Sequence, residues 1–403
     1  MASASAIPDH IAPERVYDFD FYRDPRFTTD VHAAYAAMRD EAPDVFYTPR
    51  NGGHWVVTKF DLMSEIVRDP EHFSSRQMQI PPVEGEMTLI PINLDPPDNI
   101  PYRQILMPWF APKSIKKMDE DIKGFATEII DAVASKGSCD FVSEISARFP
   151  VSIFMKIMGL PIRRFDEFRA LAVRYFNIQG EAQMVMLAQE IVKLLLEIVD
   201  ERRTAPEDDL ISYLLQAQVH DRPLSDQELG SICFLLFLAG LDTVTNALSF
   251  GMRFIAERPD IQATLRSEPE KIDAAVEEVL RLFGPANVPR IVAKDCERFG
   301  VSFKKGEMLL NALCVAGRDP DKNADPHTFA LEREKRNYLT FSTGPHLCLG
   351  NFLARFEMGA LFREWFSRIP EFRLGDHYEA HCRGGAVMTL ERLDLTWAPS
   401  AAT

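Results

Sequence analysis

The sequence predicts a mainly helical protein with a small β region, and two observations carry this prediction. Between Pro112 and Glu257, apolar side chains recur at helical spacing in long runs, whereas β-like runs elsewhere are short. One predicted helix begins at the capping box Ser225-Asp226-Gln227-Glu228 and continues to Glu257, about 33 residues or roughly 50 Å. Because its middle, Ile232 to Ala239, is apolar on every side, we expect this helix to cross the core.

The remaining predicted elements are further helices, a few short strands and one long loop. The loop is residues 74–101, where six prolines disfavour both helix and central strand. Loops of that length inside a compact chain are often functional. The other predicted helices are 113–135, 141–158, 163–175, 182–203 and 270–282. The predicted strands are 54–58, 290–293, 307–313 and 386–395, with a hairpin turn at Lys304-Lys305-Gly306.

The domain organisation follows from the central helix. By length alone, 403 residues suggest about two or three domains. No repeat, low-complexity stretch or Gly/Ser/Pro-rich linker divides the chain, and a single helix of this length argues against two independent halves. We therefore expect one domain over residues 1–403.

Composition and charge exclude several classes of partner and site. With 60 acidic and 45 basic residues the net charge is −15, which disfavours nucleic acid and anionic lipid. The longest apolar run, Ile232 to Leu241, is shorter than the roughly 20 residues of a membrane span, and the N-terminus lacks the pattern of a signal peptide. Six scattered cysteines without C-x-x-C spacing argue against a disulfide framework and a zinc site. A soluble, cytoplasmic protein is expected.

Cys348 is the first candidate for chemistry, since the common nucleotide-binding, serine-hydrolase and metalloprotease motifs are absent. It belongs to the run Phe341-Ser-Thr-Gly-Pro-His-Leu-Cys-Leu-Gly350, which precedes a predicted helix. Glycines allow the backbone to approach a flat ligand closely, and a helix N-terminus favours a thiolate over a thiol. A single cysteine in a turn is more often buried and inert, but the ten-residue pattern favours function.

Asp242 and Thr243 are the second candidate, because they interrupt the most apolar part of the long helix. An aspartate is costly to bury there, and the Thr243 hydroxyl can bond the carbonyl of Ala239 four residues back, beside Gly240. Taken alone, the pattern could equally be a kinked core helix with a satisfied aspartate. Glu278 and Arg281, in the predicted helix 270–282, are the third feature; alone they would be a minor surface pair.

Together these features resemble the cytochrome P-450 monooxygenases, and the resemblance covers nearly the whole chain. The runs Asn51-Gly-Gly-His-Trp55, His72-Phe-Ser-Ser75 and Gly240-Leu-Asp-Thr-Val244 resemble the bacterial camphor-hydroxylase group. The resemblance implies the P-450 fold, with the long helix lying over haem b, and an iron bound by the thiolate of Cys348.

The resemblance also implies roles for other residues. Asp242 is expected to gate solvent protons and Thr243 to hydrogen-bond the bound oxygen, while Glu278 and Arg281 brace the core near the cysteine loop. Val288 stands where the camphor enzyme has an acid close to a propionate, so that side is expected to be more open or held differently. Residues expected at the haem, including partners of its propionates, are Arg103, Arg290, His346, Asn99, Phe341, Gly350 and Ala239.

The substrate is expected to be apolar and of small to medium size. Residues expected to contact it by resemblance are Met78, Met87, Ile92, Leu235, Leu238, Ala286 and Val387, although each could equally be ordinary core. Camphor hydroxylases carry a tyrosine that bonds the camphor ketone where this chain has Met87, which offers no such donor. We therefore expect camphor to be a poor substrate and an ionone-like terpenoid or norisoprenoid a better one.

Electrons are expected from a small [2Fe–2S] ferredoxin and its flavin reductase. Because such ferredoxins are acidic, binding to a monomeric chain of charge −15 would need a local basic face. Basic residues that map near the cysteine by resemblance, although they could be scattered solvated charge, are Arg103, Lys113, Lys116, Lys117, Lys335 and Arg355. The alternatives are a peroxide-driven or isomerase-type haem-thiolate protein, which the intact Asp-Thr pair disfavours, and a haem sensor or carrier, which would need an output domain.

Overall fold

The computed structural model describes residues 5–83, 85–177 and 181–399, and these are mainly helical. The helices in chain order are α1 Val31–Glu41, α2 Phe60–Ile66, α3 Ile100–Phe110, α4 Pro112–Lys116, α5 Asp119–Ala134, α6 Phe149–Met158, α7 Phe165–Asn177, α8 Glu181–Thr204, α9 Leu210–Gln216, α10 Asp226–Ala256, α11 Pro259–Ser267, α12 Ile272–Leu282 and α13 Asn351–Arg368.

The strands are short and form small sheets. They are β1 Val45–Thr48, β2 His54–Val57, β3 Phe73–Ser74, β4 Ser138–Asp140, β5 Gln218–Val219, β6 Arg222–Pro223, β7 Val288–Val292, β8 Cys296–Arg298, β9 Val301–Phe303, β10 Met308–Asn311, β11 Phe372–Leu374, β12 Cys382–Arg383, β13 Thr389–Leu390 and β14 Asp394–Trp397. The largest sheet has the order β1-β2-β10-β7-β3, with only the β2–β10 pair parallel, and a second sheet has the order β11-β14-β4.

Helix α10 is the centre of the packing. Its start is the predicted capping box, in which Ser225 and Glu228 each accept from the other's backbone N–H. It packs against α6, α7, α8, α11, α12 and α13. Gly240 is needed for one of these approaches, because a Cβ there would come 2.3 Å from the ring of Phe154 in α6. By length and hydropathy α10 could also cross a membrane, but 61% of its most apolar 18-residue window is buried in the protein, as expected of a core helix.

Two predicted helices are in fact broken. The run 113–135 divides into α4 and α5, because the backbone at Lys117 and Met118 makes only tight i→i+3 bonds before the acidic first turn of α5. The run 141–158 divides into a π-type turn over Val142–Ser146 and α6. Pro150 explains the second break, because it lacks an N–H and tolerates only the first turn of a helix.

The strand predictions after residue 290 were partly wrong. The Lys304-Lys305-Gly306 turn does not close a hairpin, since β9 before it pairs with β8 and β10 after it pairs with β7 and β2. A hairpin lies earlier, where Phe299 and Gly300 turn with φ of +57° and +70°. The predicted strand 386–395 consists of β13 and the start of β14, which belong to different sheets. As predicted, the described residues between β3 and α3 contain neither helix nor strand.

Glu278 and Arg281 form a buried network, so the alternative of a surface pair is wrong. Both side chains have zero exposure, and Arg281 donates to both carboxylate oxygens at 2.9 and 2.7 Å. Glu278 also accepts from Ala330 N–H at 2.9 Å and pairs with Arg333 and Arg336. The network therefore joins α12 to the 317–336 segment, which leads into the loop of Cys348.

Replacing Glu278 by glutamine should lower the free energy of unfolding by about 3 kcal/mol, because it leaves buried arginines without their counter-charge. Burial alone would raise the pKa of Glu278, but hydrogen bonds from Arg281 and Ala330 and the nearby arginine charges hold that pKa below its ordinary value of 4.5. The stabilisation is therefore fully present above pH 4.5 and is lost as the pH falls through the lower folded-state pKa. Urea unfolding followed by circular dichroism measures both effects. The matched control is E270Q, at an exposed position just before α12; an equal loss in the two variants would contradict the prediction.

Candidate active site

Cys348 lies in a tight loop that ends where α13 begins. Its backbone N–H donates to Phe341 O at 2.9 Å, and Leu347 N–H donates to Gly344 O at 3.1 Å. Glycine is needed at Gly344, because its φ is +70° and an added Cβ would lie 2.8 Å from the Arg68 side chain. Gly350 has an ordinary φ of −79°. Cys348 is the one exposed cysteine among the six. The loop therefore presents this sulfur while its backbone is held by internal hydrogen bonds.

The thiol of Cys348 is not activated by the loop alone, which corrects the expectation from the helix N-terminus. The side chain has free space beside it yet lies deep among protein atoms, and this burial raises the pKa of the thiol. The Gly350 N–H and the charges of Arg103 and Arg355 act in the opposite direction but do not outweigh burial. A bound cation at the sulfur would supply the missing stabilisation, since coordination deprotonates a thiol.

One stripe of α10 faces open space inside the protein. Ala239 is exposed and Leu235, Leu238, Asp242 and Thr243 are half-buried, whereas most residues on the other faces of this helix are buried. These five positions follow the i, i+3, i+4, i+7, i+8 spacing of one helix face. An exposed alanine in the middle of the central helix therefore marks a space that protein side chains leave unfilled.

Asp242 and Thr243 have the environments that a proton path requires. The Thr243 hydroxyl donates to Ala239 O at 3.1 Å, as predicted. Burial raises the pKa of Asp242 to about 6, against the opposing effects of a hydrogen bond from Asn246 and the positive charge of Arg383. Asn246 also donates to Asp242 O at 2.8 Å and accepts from Leu390 N–H in β13. Asp242 can therefore exchange a proton near neutral pH, and the C-terminal strands hold its neighbour Asn246 in place.

Three of the predicted propionate partners have buried polar atoms without a hydrogen-bond partner. These atoms are both amide atoms of Asn99, Nη2 of Arg290 and Nδ1 of His346. Burial lowers the pKa of Arg290 to about 10 and that of Arg103 also below its ordinary value. Arg103 donates to Leu347 O at 2.6 Å, next to Cys348. Partnerless buried polar atoms also occur elsewhere in the described residues, for example at His54 and Trp365. At this site they occur on three residues that the resemblance assigns to the propionates, which favours a group bound there.

His346 is oriented by a network that the sequence analysis did not identify. Its Nε2 lies 2.9 Å from the hydroxyl oxygen of Ser75, which lies 3.0 Å from Asp95, and the N–H of Ser75 donates to Asp95 at 2.9 Å. When the one hydroxyl hydrogen of Ser75 is donated to Nε2, the ring proton is on Nδ1, which can then donate to a ligand. Burial lowers the pKa of His346 to about 4, and Arg290 and Arg103 act in the same direction. The imidazole is thus neutral at pH 7, with Ser75 fixing one nitrogen and the other left for a ligand.

These residues fit a haem. The described residues contain no cluster of three or more His, Cys, Asp or Glu that could hold a metal ion, so Cys348 could bind iron only if the other ligands came from a bound group. The exposed sulfur of Cys348 and the exposed stripe of α10 suit a flat apolar macrocycle, and two carboxylates on it would suit the partnerless atoms of Asn99, Arg290 and His346.

Comparison with known proteins identifies the family. The cytochrome P450 family model matches residues 154–368, more than half of the chain. The chain belongs to the cytochrome P450 family. A probable cytochrome P450 127A1 of Sinorhizobium fredii is 33% identical over 402 residues and covers 97% of both chains. The 6-deoxyerythronolide B hydroxylase of Saccharopolyspora erythraea is 29% identical and covers 87% of this chain and 91% of its own length.

Solved structures confirm the fold. The crystal structure of CYP101J2 aligns with a TM-score of 0.91 at 34% identity, covering 98% of this chain and all of that one. CYP101C1 gives the same TM-score at 29% identity and the same coverage. The predicted P450 fold is therefore confirmed. This P450 is a haem-dependent monooxygenase, and its family binds haem through an axial cysteine thiolate.

The residues predicted to contact substrate in this P450 are all half-buried, as residues lining a cavity would be. Leu235 and Leu238 lie on the open stripe of α10. Ala286 and Val387 form an isolated β-bridge with each other, and Met78 places its sulfur 3.7 Å from Nη1 of Arg290. Met87 lines a cavity described below, and Ile92 lies in the loop before α3. The individual contacts of these residues with substrate remain predictions.

Sequence reasoning missed Asp95, Ser75 and Asn246, which hold the predicted residues in place. Asp95 and Ser75 lie in the proline-rich stretch, where no periodicity assigns a face to any side chain. Asn246 is different, because it lies four residues after Asp242 on a helix whose start was predicted correctly. The i, i+4 spacing was therefore a usable signal for Asn246.

Proposed function

We propose that the thiolate of Cys348 would bind the haem iron and that Asn99, Arg103, Arg290 and His346 would hold the haem propionates. The observation that carries this proposal is the set of buried partnerless donors near a cysteine that alone among the six is exposed. We extend the proposal to one cytoplasmic, monomeric P450 domain over residues 1–403. The haem, when bound, supplies dioxygen activation, and the overall reaction consumes O₂, two electrons and two protons to give a hydroxylated product and water.

The residues of the open stripe have separate roles in this proposal. Asp242, with a pKa near 6, passes protons from solvent, and Thr243 offers its hydroxyl at the surface of the oxygen pocket. Ala239 and Leu238 keep that surface apolar, which excludes bulk water and favours an apolar substrate. We propose a small to medium terpenoid or norisoprenoid with an ionone-like skeleton, because Met87 provides no hydrogen-bond donor for the camphor ketone.

The first test is the C348A variant with haem supplied during expression. Wild-type protein should show the red-shifted ferrous–CO absorbance of a thiolate-bound haem, and C348A should lose it. The control is C296A, because Cys296 is half-buried in β8 and should leave the band unchanged. A wild-type protein without the band would refute thiolate ligation. Wild-type turnover that needs peroxide alone, without NAD(P)H and ferredoxin, would favour the peroxide-driven alternative.

The D242N variant tests the proton path. Removing the carboxyl should slow product formation by about a hundredfold, a usual effect of losing a general acid. Wild-type rates should fall as the pH rises above about 6, because the protonated fraction of Asp242 decreases, whereas D242N should be insensitive to pH over this range. The rate of product formation between pH 5.5 and 8, with saturating NAD(P)H and ferredoxin, measures both effects. The control is D226N in the first turn of α10, and a wild-type profile that is flat across pH 6 would exclude this role.

A ferredoxin is the proposed electron donor, and α4 provides the best candidate surface for it. This helix packs against α3 and α13, and Lys113, Lys116 and Lys117 at this site are exposed. Arg355 is less available than the sequence suggested: it is half-buried, donates to Glu277 at 2.7 Å and to Tyr338 at 2.8 Å, and lies 4.5 Å from the ring of Phe341. Arg355 therefore supports the cysteine loop, and reversing its charge would disturb that loop directly.

Charge reversal at Lys117 tests this surface. K117E should reduce the rate of reduction by a [2Fe–2S] ferredoxin roughly tenfold at low salt, with a smaller difference at high salt, because exposed charges act mainly on association. Stopped-flow reduction of the haem measures the rate. The control is K294E, an exposed lysine after β7 that pairs with Glu71. Equal rates for wild type and K117E at low salt would contradict a docking role for α4.

A further inference from the structure

A cavity of about 560 Å³ lies between the loop before α3, helix α8 and helix α10. Its volume is within the usual range for sites of small organic ligands. Most of the side chains along its walls are apolar: Val83, Met87, Leu89, Val185, Val192 and Phe234. The outer part of the cavity is formed by three exposed residues of α8: Lys193, Glu197 and Asp200. The cavity therefore leads from solvent to the apolar wall of α10.

The cavity adjoins the part of α10 that borders the oxygen pocket. Phe234 lies one turn before Leu238 of the open stripe, and side chains at this i, i+4 spacing are neighbours on the helix surface. Ser231, one turn before Leu235, accepts from Ile90 N–H at 2.8 Å and donates to Thr88 O at 2.6 Å. These bonds fasten the loop wall of the cavity to the helix that forms the oxygen pocket.

Glu86 is the one carboxyl group that the loop contributes to this cavity within the described residues. It is half-buried and accepts from Nε2 of Gln77 at 3.2 Å. Burial raises the pKa of Glu86, hydrogen bonds from Gln79 and Gln77 oppose that rise, and no cation is among the groups that shift it. Burial, and then the charge of Glu86, raises the pKa of Tyr175, which lines the same cavity. A carboxylate has about four acceptor positions, so the two amide donors do not fill them all. A carboxyl group among apolar side chains without a counter-charge is costly and therefore indicates a function.

We propose that Glu86 accepts a hydrogen bond from a hydroxyl group of the substrate, so that this P450 selects an apolar alcohol over the ketone of the same skeleton. The inference rests on the proposed function, which supplies the haem and the apolar substrate. Met87, the neighbouring residue, has no polar hydrogen to offer a ketone, and the donors in the cavity wall are Tyr175 and, at its exposed outer part, Gln189 and Lys193. The acceptor positions of Glu86 suit a donor on the ligand. An alcohol fits these walls better than an ammonium group, which would lose its hydration among apolar side chains.

The test uses two pairs of ligands, each with one carbon skeleton: β-ionol with β-ionone, and borneol with camphor. Wild-type holoenzyme should bind each alcohol roughly tenfold more tightly than its ketone, because a hydrogen bond to a carboxylate contributes strongly in an apolar site. In E86Q this ratio should approach one, since an amide both donates and accepts. Calorimetry gives the dissociation constants, and the shift of the haem spin state shows whether the ligand reaches the iron. The control is E190Q, at an exposed position of α8 outside the cavity, which should keep the wild-type ratio.

The possible outcomes separate this inference from the proposed function. Equal Kd values for alcohol and ketone in wild type, or an unchanged ratio of these values in E86Q, would overturn the role of Glu86. A shift of the haem spin state on ligand binding would still support the proposed haem site in either case. If E86Q weakens both ligands equally, Glu86 acts only by holding the loop through Gln77, and the inference is wrong. Tighter binding of an amine than of the alcohol would also overturn the hydroxyl assignment. A lower Kd for camphor than for β-ionone would instead contradict the proposal of a substrate with an ionone-like skeleton.

Discussion

The structure depends on burying a 31-residue helix that is apolar around most of its circumference. Helices pack on it from several sides, and Gly240 lets α6 approach so closely that any side chain at this position would collide with Phe154. One stripe of the helix, centred on Ala239, is only partly covered by protein. The packing that builds the core therefore also defines the site, because this apolar stripe gains further burial when an apolar group covers it. The packing of α10 therefore determines both the stability of the core and the surface that a cofactor covers.

Glu278, Asp242 and Glu86 differ in how their charge is compensated. Glu278 has three arginines and a backbone N–H around it, and its pKa is lowered. Asp242 and Glu86 lack such compensation, and burial raises their pKa values. The difference separates a group that holds elements together from groups that remain able to exchange a proton or bind a ligand. Electrostatic compensation is thus a better guide to role than burial alone.

Local signals in the sequence predicted the parts of the fold that local interactions decide. The capping box at Ser225 and Glu228 marked the start of α10, because its two hydrogen bonds involve residues three apart. The turn at Lys304 to Gly306 was misread, because the pairing of β9 and β10 is decided by distant strands. At the site, the motif around Cys348 indicated haem, but the positions of Ser75, Asp95 and Glu86 depend on a loop without periodicity. Likewise, the i, i+3 spacing of Glu278 and Arg281 could not reveal burial that depends on Arg333 and Arg336.

Arg281 uses all of its hydrogen-bonding capacity. Three of its N–H groups donate to backbone oxygens of Gly317, Pro326 and Thr328, in addition to the two that bind Glu278. A guanidinium has five such donors and an ammonium has three, so lysine at this position would lose at least two of these five bonds. The three backbone acceptors belong to the segment that leads to the cysteine loop. For anyone redesigning the substrate range of this enzyme, Arg281 is thus a position to leave alone, although it is remote from any ligand.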